Sequence, residues 1–429
     1  MRTSFPAGGA TERARLIELF PDTAAVEDGE LVVGGVRAST LAEEFGTPLV
    51  VYCRDTLLAC ARTYARVDRD SLVVYGTKAF PNVALLRLFV AEGLGADVST
   101  RGELEYALRA GVPRERLVFH GNNKSDDELR AAADAGALVV LDALEEVARA
   151  ASAGARTTLI RVTPGVEAET HRSIQTAHAE SKFGVTPGDA VEAVRSALAA
   201  GLDVAGLHVH IGSQLARADE SLLAIDRLVD VARRCAEELD WTPRVFDLGG
   251  GLGVPQTLAE TMPEPEKFAR TIVQRLRAHW PEPVQVILEP GRSLVGKAGF
   301  SVYRIGVVKH TGGIAYAAVD GGMSDNPRPQ LYAARYEALL ANRASEATAG
   351  TYRIAGKHCE SGDVLIDRVE LPAPHRGDLL AVPATGAYTL AMASNYNGVP
   401  RPAAVLVGDA KAELIRRRES LEDLLSFEP

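Results

Sequence analysis

Short runs of apolar, often β-branched residues alternate along the chain with longer stretches in which apolar residues recur every three or four positions. The alternation begins near residue 71 and continues to about residue 290. Strands buried on both faces read as continuous apolar runs, whereas crossover helices show the wider spacing. The pattern predicts eight strands, at residues 71–79, 95–100, 116–121, 138–143, 157–164, 204–212, 244–250 and 284–290.

Eight strands, each followed by a helix except the last, predict a (β/α)8 TIM barrel, with a doubly wound open sheet as the structural alternative. In a barrel the reacting groups lie at the carboxyl ends of the strands. Six residues fall at or just beyond predicted strand ends: Lys78, His120, Asp142, His210, Gly250 and Glu289. We therefore expect them to converge at one end of the barrel.

The pattern changes after about residue 300, where short strand-like runs are separated by turns and no long helices intervene. This predicts a C-terminal antiparallel β domain of sandwich or barrel-like form. The strand-like segment 30–39 has no helical partner before it, so we expect the N-terminal segment to join that domain. The predicted domains are a barrel at 46–298 and a discontinuous β domain at 1–45 and 299–429.

Composition and charge narrow the classes of function. The chain has 429 residues, of which 46% are hydrophobic and 24% charged, as expected of a globular protein with two domains. A net charge of −10 gives no overall attraction for nucleic acid or anionic membranes, so small polar metabolites are the expected ligands. No sustained apolar stretch opens the chain, and no run of about eighteen apolar residues occurs. We therefore expect a cytoplasmic protein without membrane partners.

Cysteine usage argues against two kinds of site. The four cysteines are few and scattered, at Cys53, Cys60, Cys235 and Cys359. They cannot make a disulfide framework, and none pairs closely with histidines as in a zinc site. No metal is therefore predicted.

Two short segments carry the candidate chemistry. Lys78 ends the first predicted strand, and Glu289-Pro290-Gly291-Arg292 ends and follows the eighth. The lysine could hold an aldehyde cofactor as a Schiff base, while the carboxylate could keep the cofactor's ring nitrogen protonated and the arginine could meet its phosphate. This combination indicates pyridoxal phosphate.

Two glycine-containing segments could also bind the phosphate. Gly249-Gly250-Gly251 ends the seventh strand, where backbone N–H groups could approach an anion; a simple tight turn and a Rossmann fingerprint are the rival interpretations. In HVHIGSQ (208–214) the Gly-Ser pair could bind phosphate, and His210 could lie over a flat cofactor ring. By strand alternation we expect only one of His208 and His210 to face the barrel interior.

Ten segments together form a more specific signature: YGTKAF (75–80), GLGADVSTRGEL (93–104), HGNNKSDDEL (120–129), THRSIQTAHAESKFG (170–184), HVHIGSQ (208–214), DLGGGLG (247–253), EPGRSLV (289–295), VDGGMSDNPRPQLY (319–332), GKHCESGD (356–363) and TGAYTLAMASNYN (385–397). From about Phe45 to Phe427 the chain resembles the fold type III pyridoxal-phosphate decarboxylases, which are built on an alanine-racemase-like barrel, and most closely the diaminopimelate decarboxylases. It departs from many members at Gly76-Thr77, Phe80 and Thr176-Ala177.

The resemblance implies roles for individual residues. Lys78 would bind the cofactor covalently, His210 would stack on its ring, and Glu289 would pair with the ring nitrogen. The cofactor's phosphate would be surrounded by polar and glycine residues, namely Ser213, Gly250, Gly251, Gly291, Arg292 and Tyr388. Cys359 would donate a proton after carbon dioxide leaves, reaching the site from the partner subunit of a homodimer with shared active sites. By the same resemblance, Lys182 and Asp363 are a predicted intersubunit ion pair.

The implied reaction is decarboxylation of meso-2,6-diaminopimelate to L-lysine and carbon dioxide, the last step of lysine biosynthesis. The distal end of that substrate carries both a carboxylate and an ammonium group. Arg328 together with Arg292 could clamp the carboxylate bidentately, and Glu360 could accept hydrogen bonds from the ammonium. Tyr332 and Tyr388 complete the substrate-binding residues that the resemblance implies.

Two alternatives remain open. A related decarboxylase could act on ornithine, lysine or a carrier-bound amino acid, although Arg328 argues against the first two because they lack a distal carboxylate. A non-catalytic regulatory homologue is the other alternative. Such a protein would be free to lose Lys78 or Cys359, and this chain has both.

Overall fold

The structure is a computed structural model that describes residues 9–166 and 181–429. Most of the motif at 170–184, including Thr176-Ala177, lies outside the described residues. The chain divides into two units. One holds the described residues up to Ala59 together with Val254–Thr261 and Val295–Pro429, and the other holds the described residues of Cys60–Gly253 together with Met262–Leu294.

The strands of the described chain are β1 (Ala25–Glu27), β2 (Glu30–Val33), β3 (Val36–Arg37), β4 (Leu49–Cys53), β5 (Ser71–Gly76), β6 (Gly95–Val98), β7 (Leu117–Phe119), β8 (Leu138–Leu141), β9 (Thr157–Arg161), β10 (Asp203–His208), β11 (Val245–Asp247), β12 (Gln285–Leu288), β13 (Gly299–Thr311), β14 (Ile314–Val319), β15 (Leu339–Leu340), β16 (Gly350–Ala355), β17 (Val364–Leu371), β18 (Leu379–Val382), β19 (Ala403–Gly408) and β20 (Lys411–Arg416).

The α-helices of the described chain are α1 (Gly9–Glu18), α2 (Ala38–Phe45), α3 (Arg54–Ala65), α4 (Val83–Ala91), α5 (Arg101–Ala110), α6 (Asp126–Ala135), α7 (Leu144–Ser152), α8 (Ala190–Ala199), α9 (Asp219–Leu239), α10 (Pro265–His279), α11 (Arg292–Val295), α12 (Arg328–Tyr332) and α13 (Leu421–Leu425). Helix α6 shows why these segments are bounded as they are. Ser125 and Glu128 form a capping box at its start, and Gly136 ends it in a left-handed conformation.

Strands β5 to β12 form a closed barrel in which all neighbours are parallel. The predicted fold class is confirmed, and each of the eight predicted strands is present. The observed strands end two to four residues sooner than predicted, so the candidate residues lie in the loops that follow them. The barrel interior is a packed apolar layer with one residue from each of seven strands: Val74, Val118, Val140, Leu159, Ala205, Val245 and Ile287.

The other unit contains a nine-stranded sheet with the order β17-β16-β14-β13-β4-β19-β20, to which β18 and β15 attach beside β13. Its pairs are antiparallel except β14 with β16 and β4 with β19. Segment 30–39 forms β2 and β3 of a separate three-stranded sheet and the start of α2. Leu31 and Val33 of this sheet share a hydrophobic core with Phe300 and Val405.

Strand β4 shows where the observed division departs from the predicted domain boundary. The predicted barrel domain begins at residue 46, whereas residues 46–59 lie in the unit that contains the nine-stranded sheet. The reason is that β4 pairs with β13 on one side and with β19 on the other. Within the described ranges, no helix combines the length and the apolar character that crossing a bilayer requires.

Candidate active site

The candidate residues form two groups, one on each unit. The barrel unit carries Lys78, His210, Ser213, Gly250, Gly251, Glu289, Gly291 and Arg292, and the other unit carries Arg328, Tyr332, Cys359, Glu360 and Tyr388. In the unit that contains the nine-stranded sheet, two contacts link the segments that bear these residues. The Gln330 side chain in α12 donates to the Gly362 carbonyl, 2.9 Å away, and the Tyr332 hydroxyl lies 3.9 Å from the Met392 sulfur.

Lys78 lies in a short 3-10 turn, Thr77–Ala79, directly after β5. Its Nζ is 2.5 Å from Oδ2 of Asp97, a residue of β6 whose side chain is almost fully buried. The Lys78 side chain itself is 41% exposed. An amine that is anchored by a buried carboxylate and remains open to solvent is well placed to react with an aldehyde.

Glu289 follows β12 and is buried among polar side chains. His120 Nε2 lies 2.6 Å from its Oε1, and His208 Nε2 lies 3.5 Å from its Oε2. Burial alone would raise the pKa of Glu289, but the two histidines outweigh it and hold that pKa well below its usual range. Burial and the charge of Glu289 raise the pKa of Asp247 well above its usual range. Of the two neighbouring carboxyl groups, Glu289 therefore carries the negative charge.

His210 is fixed by a backbone contact. The Gly250 N–H donates to its Nδ1 at 3.3 Å, which leaves the ring proton on Nε2. Burial and the positive charges of Lys78 and Arg161 hold the pKa of His210 well below its usual range, so the ring is neutral.

His208 ends β10 and is fully buried, whereas His210 lies two residues beyond the end of that strand. Strand alternation therefore does not decide which of the two rings faces the barrel interior, because it holds only within a strand, where residues two apart point to the same side.

The arginine and glycines near the end of β12 pack closely. Arg292, 5% exposed, donates from Nε to the Ser213 hydroxyl at 3.1 Å, so the two predicted phosphate contacts are adjacent. A Cβ at Gly250 would lie only 2.1 Å from the Glu289 carbonyl oxygen. Gly250 is therefore required sterically, because its backbone approaches the end of β12, and this requirement exists whether or not it binds phosphate.

Arg328 is buried in the unit that contains the nine-stranded sheet, and part of its guanidinium makes no hydrogen bond. Its Nε donates to the Tyr336 hydroxyl at 3.0 Å, and the guanidinium carbon lies 5.4 Å from the centre of the Tyr332 ring. Its Nη1 is buried and has no hydrogen-bond partner in the described part of the chain. Buried polar groups are nearly always paired, so a partnerless guanidinium nitrogen points to a ligand with an acceptor group.

Cys359 and Glu360 are exposed on a loop whose neighbouring residues make several hydrogen bonds. The Cys359 N–H donates to the Asn397 side-chain oxygen at 2.9 Å. The neighbouring His358 is buried, with Nδ1 2.7 Å from Asp363 Oδ2 and its ring stacked on Tyr396. These contacts fix the backbone that presents the thiol.

Asp363 organises this loop from within its own unit. Its Oδ1 accepts from the Met323 N–H, and its Oδ2 accepts from the backbone and the ring of His358. A Cβ at Gly356 would lie 2.1 Å from the Asp363 carboxylate. Both oxygens of this buried carboxylate are engaged within the chain, and the intersubunit ion pair between Lys182 and Asp363 stays a prediction.

Tyr388 has an unusual backbone conformation. Its φ is +58°, in the left-handed region that bulky side chains rarely adopt. Its side chain is half-buried between the buried residues Ala387 and Thr389. Backbone strain of this kind is concentrated at functional sites, which agrees with the role that the resemblance implies for Tyr388.

Three charged residues at the barrel end were not predicted from the sequence: Asp97, Arg161 and Asp247. Each is at least 94% buried. Burial lowers the pKa of Arg161, and the negative charges of nearby carboxylates partly oppose that shift. The available signal was a charged residue within, or at the end of, an otherwise apolar strand, as in GADV and TTLIR. Asp142, which was expected at this end, accepts from the Gly184 N–H and lies 3.7 Å from Arg161.

Comparison with known proteins gives concordant results. Residues 55–296 match the family described as "Pyridoxal-dependent decarboxylase, pyridoxal binding domain". The diaminopimelate decarboxylase of Bacillus subtilis is 40% identical, with 94% of this chain and 96% of that protein covered. The diaminopimelate decarboxylase of Actinosynnema pretiosum is 41% identical, with 99% and 98% covered. Among solved structures, diaminopimelate decarboxylase from M. jannaschii in complex with L-lysine superposes with a TM-score of 0.89 at 31% identity, covering 95% of this chain and 98% of that one.

Proposed function

The chain belongs to the family of pyridoxal-dependent decarboxylases, and from that premise we propose how its residues carry out the decarboxylation of meso-2,6-diaminopimelate to L-lysine and carbon dioxide. The observation that carries this function is the likeness to diaminopimelate decarboxylases over nearly the whole chain. The reaction makes the protein a carboxy-lyase at the last step of lysine biosynthesis.

The side chains at the barrel end fit pyridoxal phosphate in three respects. Lys78 offers an exposed amine for the aldehyde. Glu289 offers an ionised carboxylate for a protonated ring nitrogen. Arg292 and Ser213 offer adjacent donors for a phosphate. When bound, this cofactor withdraws electrons from the substrate's alpha carbon and so makes loss of carbon dioxide possible.

The roles of the barrel residues follow from these properties. Lys78 would hold the aldehyde covalently, with Asp97 positioning its Nζ. Glu289 would keep a proton on the ring nitrogen, since a carboxylate favours the charged ring. His210 would lie against the ring as a flat, neutral imidazole, which its bond from Gly250 orients. The phosphate would be held by Ser213, Gly250, Gly251, Gly291 and Arg292, and the family resemblance also assigns Tyr388 to it.

Cys359 would supply the proton that replaces carbon dioxide. It is exposed on a loop in which its N–H donates to Asn397 and the neighbouring His358 contacts Asp363. A thiol can give up a proton near neutral pH and be reprotonated by water. We infer from the family resemblance that the protein is a homodimer in which this thiol acts in the partner's site.

Recognition of the distal end of the substrate would rest on Arg328. Its buried, partnerless Nη1 can donate to a carboxylate, and charge-assisted bonds of this kind are strong in buried surroundings. Arg292, Tyr332 and Tyr388 would complete the contacts, and the exposed Glu360 would accept from the distal ammonium group.

The proposed function is tested with purified protein and added pyridoxal phosphate. Carbon dioxide release is followed separately with each diaminopimelate isomer, ornithine, lysine and arginine. We expect release with meso-diaminopimelate and an equal amount of L-lysine as product. Faster release from ornithine or lysine would replace this substrate assignment, and no release from any of them, despite bound cofactor, would favour a regulatory homologue.

A further inference from the structure

A continuous chain of charged and polar side chains crosses the barrel end. Lys78 Nζ is 2.5 Å from Asp97 Oδ2, and the other oxygen of Asp97 is 3.7 Å from His120 Nε2. The same His120 nitrogen is 2.6 Å from Glu289 Oε1, and His208 Nε2 is 3.5 Å from Glu289 Oε2. His120 thus lies between the carboxylate that anchors Lys78 and the carboxylate assigned to the ring nitrogen.

These residues come from different strands of the barrel. Asp97 lies in β6, His120 follows β7, His208 ends β10, and Glu289 follows β12. All four are at most 6% exposed. Burial of several titratable groups is costly, and apolar residues of similar volume are often as stable or more so. Such a cluster at the mouth of a barrel is therefore better explained by a functional requirement than by stability.

Hydrogen-bond chemistry fixes the direction of the central contact. An ionised carboxylate only accepts, so His120 Nε2 must carry the hydrogen and donate to Glu289. Burial lowers the pKa of His208 to about 3, which leaves it neutral and makes its support of Glu289 weaker. Of the two histidines, His120 makes the shorter contact to Glu289, at 2.6 Å against 3.5 Å for His208.

We propose that His120 is a positioning residue that holds the Glu289 carboxylate in place and, through Asp97, joins it to Lys78 in one unit. This inference rests on the proposed function, because it assigns Glu289 and Lys78 to the two ends of the same cofactor. Its consequence is that His120 acts on cofactor binding through Glu289, without touching the substrate.

A double-mutant cycle tests the proposal. The proteins are wild type, His120→Leu, Glu289→Gln and the double variant, and the primary readout is the dissociation constant of pyridoxal phosphate from the apo protein. We expect His120→Leu to weaken binding by about tenfold or more in the wild-type background and by less than about twofold in the Glu289→Gln background, because coupled residues are not additive. Equal factors in the two backgrounds would overturn the proposal.

Two further variants keep the test decisive if His120→Leu does not fold. His120→Gln can place an amide N–H near the position of Nε2, whereas His120→Asn is polar but too short to reach it. We expect the Gln variant to stay within a few-fold of wild type in both cofactor affinity and the pH dependence of the bound cofactor's visible spectrum, and the Asn variant to be impaired in both. Equal behaviour of Gln and Asn, with similar thermal midpoints, would contradict a role for the donor at Nε2.

Three controls accompany the double-mutant cycle. His279→Leu, at the end of α10 and outside the cluster, should leave cofactor affinity unchanged. Stoichiometric metal in the wild-type protein that is lost in His120→Leu would overturn the proposal, because the ligand-type atoms of His120, His208, Asp247 and Glu289 lie within 4.8 Å of one another. If the cycle shows coupling in cofactor binding but the wild-type protein releases no carbon dioxide from diaminopimelate, the substrate assignment is refuted and the role of His120 stands.

Discussion

Replacement of Arg328 by alanine is the sharpest test of the substrate. The Arg328 guanidinium is 2% exposed, with Nε on Tyr336 and Nη1 without a partner in the described chain. Each hydrogen bond to a charged group is worth about 1.5–3 kcal/mol, so one or two such bonds to a carboxylate give about 2–5 kcal/mol. Since about 1.4 kcal/mol corresponds to a factor of ten, kcat/KM for diaminopimelate should fall roughly thirtyfold to several thousandfold.

Steady-state assays of carbon dioxide release measure this effect, with L-lysine as the second substrate. Lysine has no distal carboxylate, so any trace decarboxylation of lysine should change far less than that of diaminopimelate. Most of the loss should be in KM, because the distal contact is made equally in the ground state and the transition state. Arg328→Lys should be intermediate, since it keeps the charge and loses the planar fork.

Two controls make the result interpretable. Arg335→Ala removes an exposed arginine a short distance along the same segment and should leave both substrates unaffected. Thermal midpoints of the variants measure the cost of losing the contact to the Tyr336 hydroxyl. An equal loss for diaminopimelate and lysine in Arg328→Ala would show that Arg328 supports the fold or the cofactor, and the reasoning on the substrate would be refuted.

Three other predictions use different measurements. Lys78→Ala should abolish turnover and the visible absorbance of bound cofactor, and turnover retained without an added amine would contradict the assignment. Mixing inactive Lys78→Ala with inactive Cys359→Ala should restore about a quarter of wild-type activity, because half of the randomly exchanged dimers are mixed and each has one intact site of two; no recovery after demonstrated exchange would refute shared sites. Wild type should lose thermal stability relative to Asp325→Asn as pH rises from about 4 to above 7. Burial raises the pKa of Asp325 to about 7 from an ordinary value of 3.8, so stability present at low pH is lost as the carboxyl ionises, by up to about 4 kcal/mol; parallel pH profiles of the two thermal midpoints would show that Asp325 does not titrate in this way.

The barrel could be predicted from sequence because its evidence is local. Each of the eight strands is a short, largely apolar run, and the helices between them show the wider helical spacing of apolar residues. Strand β4 could not be placed in this way. Leu49–Cys53 is entirely buried and reads like a barrel strand, but its partners β13 and β19 lie about 250 and 350 residues further along the chain. Nothing in a local pattern encodes which distant strand it pairs with.

The candidate site was predictable where position along a strand implied position in space. Lys78, His120 and Glu289 were expected at one barrel end because parallel strands bring their carboxyl ends together. Asp97 and Arg161 were missed because a charged residue inside an apolar run does not reveal its partner. The sequence also did not show that the Asp363 carboxylate accepts from the Met323 N–H, because Met323 lies forty residues earlier and only the fold brings the two together.

The state of Arg328 has a consequence for selectivity. Part of its guanidinium is buried without a partner in the described chain, and a ligand with a suitably placed acceptor would remove the free-energy cost of that unpaired nitrogen. A site built to hydrogen-bond one group discriminates strongly against analogues that lack it, by about 10⁴–10⁵ in favourable cases, because its polar atoms then stay unpaired. Ornithine and lysine lack the distal carboxylate and would leave Nη1 unsatisfied. If Arg328 binds the distal carboxylate as proposed, rejection of simpler diamino acids follows from the same buried nitrogen and requires no separate steric barrier.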